Sequence, residues 1–259
     1  MRKPRPVYDY ETELRRFLPM INRLGKIFLA GKTIDVLGAE NLVRQGPSIL
    51  IGNHCGAYKD VCVLFRTVPR PMFFNANKEL FTRPEFNFLV KKHLRRHMGR
   101  MGDFVNFILN PYKWVFVDYI SSNIARVGAI PVDLLGSKKG AIAIGEEYLR
   151  RGRAIVSLYG RGRVDPTEKN PYMKPFGRGM ALVAYDMHAQ DGIDVPVTPL
   201  ALFGTQLPWM IPGTIRVHFG EPMFVRDYLR DTLEASVEAF KDALERRVDA
   251  MIRALAMRR

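Results

Sequence analysis

Apolar positions along the chain follow two spacings in turn, which predict alternating strands and helices. Short apolar runs bounded by glycine or proline predict strands at residues 33–37, 48–51, 71–75, 127–132, 154–158, 195–203 and 214–219. Apolar residues three and four positions apart predict helices at residues 14–28, 61–65, 84–101, 140–151, 177–188 and 233–255. This alternation predicts an α/β fold with a mostly parallel central sheet flanked by helices.

The helical pattern at residues 84–101 is basic and amphipathic. Its apolar face carries Val90, Leu94 and Met98, continuing to Met101 and Val105, and its opposite face carries Lys91, Lys92, Arg95, Arg96 and Arg100. Such a helix either lies in solvent on the surface or lies at a membrane interface. We expect three segments in the chain: an N-terminal amphipathic helical segment at residues 1–32, an α/β domain at 33–224 and a packed C-terminal amphipathic helix at 225–259.

The charge balance narrows the choice of partners. The 259 residues are 47% hydrophobic and 25% charged, values typical of a globular protein, but 40 Lys and Arg against 26 Asp and Glu give a net charge of +14. A strongly cationic protein is expected to meet an anionic surface: nucleic acid, an anionic membrane or an acidic partner. Two cysteines seven residues apart form neither a disulfide framework nor a zinc pattern, which favours a reduced, cytosolic setting.

The sequence shows neither a secretory signal nor a membrane span. No apolar stretch follows the basic N-terminus, so we expect no signal peptide. Residues 104–120 are the most apolar stretch, but Lys113 and Asp118 interrupt it, and it falls short of the roughly 20 apolar residues that a span needs.

Candidate chemistry follows the second predicted strand, where Asn53, His54, Gly56 and Asp60 lie in a polar turn before a helix. An imidazole titrates near neutral pH and can accept a proton from a hydroxyl group. Six helical steps would place Asp60 about 120° from His54, so a contact requires His54 to lie in the turn and Gly56 to take up the extra residue. Sequence neighbours point apart, so we expect Cys55 to be a buried small residue rather than a nucleophile.

Other titratable residues carry weaker signals. Asp118 and Asp133 are interpreted as surface or turn carboxylates. His93 and His97 lie four positions apart on the basic helix, but no Cys, Asp or Glu completes a metal site there, so we interpret them as solvated residues.

Five features in order resemble the glycerolipid (lysophospholipid) acyltransferase superfamily and extend over about residues 33–224. The strand and Asn-His turn at residues 49–60 resemble its first block. The second block is similar to residues 128–133, and the approach to the third is similar to 145–149 with Gly152 and the strand 155–159. The fourth block is similar to residues 195–200, and the closing strand is similar to 213–217 with 219–222.

The resemblance implies an acyltransferase that moves an acyl chain from acyl-CoA or acyl carrier protein to a lipid hydroxyl group. It implies His54 as the general base and Asp60 as the residue that orients the imidazole, with no cofactor and no metal. The implied substrate-binding residues are Asn53, Gly56, Tyr159, Gly160, Arg161, Gly162 and Arg163. The expected location is the cytoplasmic face of an anionic membrane, as a peripheral protein. There the basic amphipathic pattern, and not the resemblance, predicts the contact residues Lys91, Lys92, Leu94, Arg95, Arg96 and Met98.

Three departures from the family pattern leave alternatives open. Five residues instead of four separate His54 from Asp60, Leu134 stands where the family has an arginine, and the loop at residues 159–163 lacks the family's glutamate. A catalytically degenerate protein of the same fold that binds lipid therefore remains an alternative. A basic nucleic-acid-binding protein is a further one, but the sequence has no RNP-like aromatic pattern, no zinc ligands and no helix-turn-helix signature.

Overall fold

A computed structural model describes residues 10–108, 110–133, 136–137, 139–208 and 211–258. Within these ranges it describes the backbone but not the side chain of residues 10, 11, 93, 96–98, 100, 102, 105 and 111. The helices are α1 (Tyr10–Phe28), α2 (Tyr58–Thr67), α3 (Arg83–Met98), α4 (Arg100–Ile108), α5 (Asn110–Asn123), α6 (Lys139–Arg150), α7 (Gly179–Asp191) and α8 (Leu233–Met257). The strands are β1 (Lys32–Leu37), β2 (Ser48–His54), β3 (Met72–Asn77), β4 (Ala129–Val132), β5 (Ala154–Gly160), β6 (Val197–Phe203) and β7 (Gly213–Phe219).

Contacts divide the chain into two compact units. One comprises the described parts of Met1–Arg16 and Phe73–Ala141, and the other comprises Phe17–Met72 with Ile142–Arg259. The boundaries at residues 32 and 224 expected from the sequence stay a prediction.

The larger unit is built on strands in the order β1-β7-β6-β2-β5. All neighbours in this order are parallel except β6 and β7, which are antiparallel. In the smaller unit β3 and β4 also pair in parallel. The mostly parallel sheet flanked by helices is therefore confirmed.

Helix α8 covers the sheet of the larger unit, as the apolar stripe predicted. Thr232 caps its N-terminus by accepting the Ala235 N–H at 3.1 Å. The helix packs on β6 and α7 through side chains that are almost fully buried: Val237, Phe240, Leu244, Val248, Met251, Ile252 and Leu255. Burying a side chain of this size stabilises the fold by roughly 1.5–3 kcal/mol relative to leaving it exposed.

The continuous helix predicted at residues 84–101 is wrong. Helix α3 ends at Met98, and Gly99 adopts φ +56° before α4 begins at Arg100. Glycine reaches this conformation without the steric cost that other residues carry. The apolar face expected to run from Val90 to Val105 is thus divided between two helices. No described helix is both long and apolar enough to cross a membrane.

Candidate active site

The turn between β2 and α2 carries the polar residues that follow the buried strand. β2 lies between β5 and β6, and Ile49, Leu50 and Ile51 are buried. Ala57 precedes α2 with φ 52° and ψ −127°, and it is the one non-glycine residue with positive φ in the described ranges. Such a conformation costs about 1–3 kcal/mol and persists only where the surroundings fix it. The turn therefore takes up the extra residue between His54 and Asp60.

His54 and Asp60 face each other across this turn. The imidazole Nδ1 lies 2.8 Å from Asp60 Oδ2, and the Gly56 N–H donates to the same oxygen at 2.8 Å. The imidazole is 27% exposed, whereas the carboxylate is fully buried. A carboxylate beside Nδ1 favours the tautomer with its proton on Nδ1, which leaves Nε2 as the basic nitrogen. Nε2 forms no hydrogen bond to any residue that the structure describes.

Gly56 lets three segments approach one another beside Asp60. A Cβ at this position would lie 2.3 Å from the Cβ of Thr205 and 2.7 Å from Asp60 Oδ1, so a larger residue would force a shift. Thr205 is fully buried just after β6. The sequence analysis missed Thr205. The available signal was its position beyond the end of a predicted strand, because the carboxyl ends of parallel strands meet at one edge of a sheet.

The Asn53 side chain is turned into the protein, with no exposed surface. Its amide oxygen accepts the Leu202 N–H at 2.7 Å, and its amide nitrogen donates to the carbonyls of Leu202 and Tyr172 at 2.9 and 3.1 Å. The side chain thus ties the end of β2 to β6 and to the segment around Tyr172. These contacts describe a residue that positions the turn, whereas the sequence analysis assigned Asn53 to substrate binding.

The loop after β5 runs against the backbone of His54. Gly160 is the register partner of His54, and the N–H of Gly162, at φ +68°, donates to the His54 carbonyl at 3.0 Å. A Cβ on Gly160 would lie 2.0 Å from that carbonyl oxygen. The two glycines therefore hold the loop close to the imidazole, and the loop brings Arg161 and Arg163 to the same end of the sheet.

The two arginines of this loop differ in the ion pairs that they form. Arg161 Nε lies 3.1 Å from Asp165 Oδ2, and its Nη2 lies 4.0 Å from Glu168. A hydrogen bond from Thr167, together with the charges of the two arginines, holds the pKa of Asp165 below its usual value. Arg163 forms no ion pair or hydrogen bond with the residues described. The loop therefore contains one arginine that is paired with carboxylates and one that forms no such pair within the described residues.

Tyr159 belongs to the packing beneath the loop. Its hydroxyl group donates to the Gly177 carbonyl at 3.2 Å, and its ring stacks on Phe176 with centroids 4.5 Å apart. Burial raises the pKa of its hydroxyl group. The sequence analysis placed Tyr159 among substrate-binding residues, and these contacts place it as a support for Gly160.

Helix α8 anchors the loop between β5 and α7, residues 161–178. It does so through acidic side chains that the sequence analysis did not single out. The residues at 238, 245 and 249 lie on one helix face. The contacts are Arg178 with Glu238 at 2.6 Å, the Phe176 N–H with Glu245 at 2.7 Å, and Asn170 with Asp249 at 2.7 Å. The C-terminal helix thus fixes the loop that lies beside His54.

Both cysteine thiols are held in their neutral form. Burial, followed by the charge of Asp60, raises the pKa of Cys55 to about 12 and that of Cys62 to about 11. A thiolate is the reactive species. We expect the folded protein to resist iodoacetamide at pH 8, and Cys55→Ser to retain nearly full acyl transfer. Protein unfolded in urea is the control, and alkylation measured by mass spectrometry should be rapid there. Fast alkylation of the folded protein, or an inactive Cys55→Ser variant, would assign Cys55 a chemical role.

The expected membrane-contact residues lie in the smaller unit on α3. Lys91, Lys92 and Arg95 are exposed and Leu94 is partly buried, whereas the side chains of Arg96 and Met98 fall outside the described set. The side chains of His93 and His97 and all of Leu134 also fall outside it. Elsewhere, Asp118 pairs with Arg83 and Asp133 pairs with Lys78 at 2.6 Å. Within the described chain, no group of three His, Cys, Asp or Glu side chains could hold a metal ion.

Comparison with known proteins gives one family and one related fold. The family model described as "Acyltransferase" matches residues 33–202. Among solved structures, the chain is similar to the 1-acyl-sn-glycerophosphate (LPA) acyltransferase PlsC from Thermotoga maritima, with 17% sequence identity and a TM-score of 0.56. That similarity covers 98% of this chain and 86% of the other and shows a shared fold. No curated protein matches.

Proposed function

The chain belongs to the acyltransferase family, and on that premise we propose that it acylates a hydroxyl group of a lysolipid or a related lipid. The acyl donor is a thioester, acyl-CoA or acyl carrier protein. One observation carries the proposal: a partly exposed imidazole contacts a buried carboxylate at 2.8 Å at the end of a central strand. The family establishes an acyltransferase enzyme, and this pair supplies the base that acylation of an alcohol needs.

The imidazole of His54 acts as the general base. Its Nδ1–H donates to Asp60, so Nε2 accepts the proton of the acceptor hydroxyl group as that oxygen attacks the thioester carbon. The tetrahedral intermediate then collapses and breaks the carbon–sulfur bond. The departing thiolate takes the proton from the imidazolium, so an alcohol and a thioester become an ester and a thiol. The Asp60 carboxylate stabilises the imidazolium that exists between these two transfers.

Backbone N–H groups at the start of α2 are the proposed oxyanion donors. The N–H groups of Ala57 and Tyr58 form no hydrogen bond with described residues, and the positive end of the helix dipole lies at the same place. Donors fixed before the reaction stabilise developing charge without reorganisation. This supports formation of the tetrahedral intermediate next to His54.

The acceptor is proposed to lack a terminal phosphate, as a glycolipid, an aminolipid or a lysophosphodiester does. The ion pair between Arg161 and Asp165 supports this, because the carboxylate already offsets part of the positive charge with which that guanidinium would bind a dianionic phosphate. Leu134 supports it as well, since leucine offers no charge where the family has an arginine. The alternative is that Arg161 and Arg163 together hold a phosphate, as an acceptor like that of the similar LPA acyltransferase from Thermotoga maritima would require.

A panel of acceptors tests this assignment. Purified protein is incubated with acyl-CoA or acyl carrier protein and each acceptor, and thiol release and product mass are both recorded. We expect lysolipids without a terminal phosphate to be acylated fastest. Arg161→Ala should change the ratios of the rates between acceptors by less than about threefold. Arg151→Ala, whose exposed side chain pairs with Glu147, is the matched control.

Two outcomes would contradict the proposal in different ways. Preferential acylation of lysophosphatidic acid or glycerol 3-phosphate, abolished by Arg161→Ala alone, would show that the loop arginines bind a phosphate. Lipid binding without thiol release for any acceptor would favour the catalytically degenerate lipid-binding protein.

The proposed location is the surface of an anionic membrane at its cytoplasmic face. Lys91, Lys92 and Arg95 are exposed on α3, and each basic residue near an anionic surface contributes on the order of 1 kcal/mol of salt-sensitive attraction. The net charge of +14 acts in the same direction.

A further inference from the structure

Helices α4 and α5 of the smaller unit carry several large apolar side chains that are exposed. Phe107 and Tyr112 are 77% exposed, and the other members of this group range from 54% to 63%. We call the group the aromatic surface; it consists of Phe104, Phe107, Ile108, Tyr112, Trp114 and Val115. Soluble proteins rarely expose large apolar patches, and six exposed large apolar residues between positions 104 and 115 indicate an interaction site.

Helix α5 exposes apolar side chains and buries a charged one, the opposite of what a helix on a water-exposed surface does. Tyr112 and Val115 are exposed, whereas Lys113 is only 8% exposed and donates from its Nζ to Asn106 at 2.6 Å. Burial, followed by the charge of Lys91, lowers the pKa of this ammonium group. A lysine turned inward beside aromatic residues turned outward is a pattern suited to an apolar environment outside the helix.

The dimensions of the two helices suit an orientation along an interface. The nine residues of α4 and the fourteen of α5 measure about 14 and 21 Å at 1.5 Å per residue, against a hydrocarbon core of about 30 Å. Trp and Tyr are enriched where a bilayer meets water. The aromatic surface contains one of each.

The charge of the protein favours a bilayer over a second copy of the chain as the partner of the aromatic surface. Lys91, Lys92 and Arg95 are exposed on α3, which packs on both α4 and α5. Two copies that each carry +14 repel one another, whereas an anionic bilayer attracts both the basic residues and the protein as a whole. The combination of basic and aromatic side chains therefore favours anionic lipid as the occupant.

We propose that the aromatic surface of α4 and α5 inserts into the headgroup region of an anionic bilayer. The exposed basic residues of α3 then attract the protein to the anionic headgroups, and the apolar side chains hold it on the membrane. This inference deepens the membrane location given under the proposed function. Vesicle binding tests it without donor or acceptor, so its failure is distinct from a failure of acyl transfer.

Vesicle sedimentation with matched variants provides the main test. The surface variant carries Phe104→Gln, Phe107→Gln and Tyr112→Gln, and the control carries Leu229→Gln, Leu233→Gln and Met257→Gln, three apolar residues that are also exposed. With phosphatidylglycerol vesicles in 0.5 M NaCl, where charges are screened, we expect the surface variant to lose on the order of tenfold or more in partitioning. The control should bind like the wild type. Circular dichroism and thermal melting verify that each variant is folded.

Tryptophan fluorescence locates the insertion. The sequence has two tryptophans, so Trp209→Phe leaves Trp114 as the single reporter. We expect its emission to shift to shorter wavelength on vesicles and to be quenched by brominated lipid. Salt-resistant binding that the surface variant retains, or a Trp114 signal that vesicles do not change, would overturn the proposal. A lipid-free dimer in analytical ultracentrifugation that only the surface variant dissociates would assign the surface to a second copy instead.

Discussion

Replacing His54 with alanine is expected to lower kcat/KM for acyl transfer at least about 100-fold, or roughly 2.7 kcal/mol of transition-state stabilisation. The side chain is partly exposed, but its removal takes a partner from the buried Asp60 carboxylate, so the protein should stay folded with a lower melting temperature. Asp60→Asn should cost less, on the order of tenfold or more. The amide oxygen of asparagine can still accept a hydrogen bond from the Nδ1–H group, but it brings no negative charge to the imidazolium. Steady-state thiol release with the best acceptor measures both variants.

A second histidine–carboxylate pair provides the matched control. His188 Nδ1 lies 2.7 Å from Asp194, and its side chain is 29% exposed, close to the value for His54. His188→Ala removes the same chemical group from a pair of similar geometry, and its activity should match the wild type. Wild-type turnover by His54→Ala would refute the general-base role and leave the lipid-binding alternative standing. Equal losses in both variants would trace the effect to stability.

Gly160→Ala is expected to inactivate the enzyme and to destabilise it by about 1–3 kcal/mol or more. The added Cβ would lie 2.0 Å from the carbonyl oxygen and 2.7 Å from the carbonyl carbon of His54. Both neighbours are backbone atoms of a paired strand, so relief requires β2 and β5 to separate where the imidazole is held. Urea unfolding gives the loss of stability, and thiol release gives the loss of activity.

Gly140→Ala tests whether this effect is local. Gly140 lies in α6, and a Cβ there meets nothing within 4 Å. Alanine is favoured over glycine inside a helix by roughly 0.5–1 kcal/mol, so this variant should be fully active and equally or more stable. If Gly160→Ala matched it in both measurements, the close approach of the loop to His54 would be refuted.

Local patterns in the sequence predicted the seven strands, their order and the residues of the proposed base, but not helix α5. Each predicted strand is present, because apolar runs bounded by glycine or proline specify buried strands locally. The requirement that the extra residue before Asp60 be absorbed near Gly56 also follows from helix geometry alone. The structure contains the 2.8 Å contact, with the positive φ at the neighbouring Ala57. Helix continuity was harder to predict, because Gly99 is compatible with a helix and breaks this one through φ +56°.

Only the tertiary structure decided which polar residues near His54 are buried between segments and hold the site together. Asn53 stands beside His54 in the sequence, yet its amide is used by Leu202 and Tyr172, which are distant along the chain. The sequence analysis did not single out the acidic residues of α8, and their contacts with residues 170–178 are found only in the folded protein. The outward aromatic face of α5 is likewise invisible to periodicity, because periodicity shows that a helix has two faces and not which one is covered. These assignments depend on contacts between segments far apart in sequence, and such contacts exist only once the chain has folded.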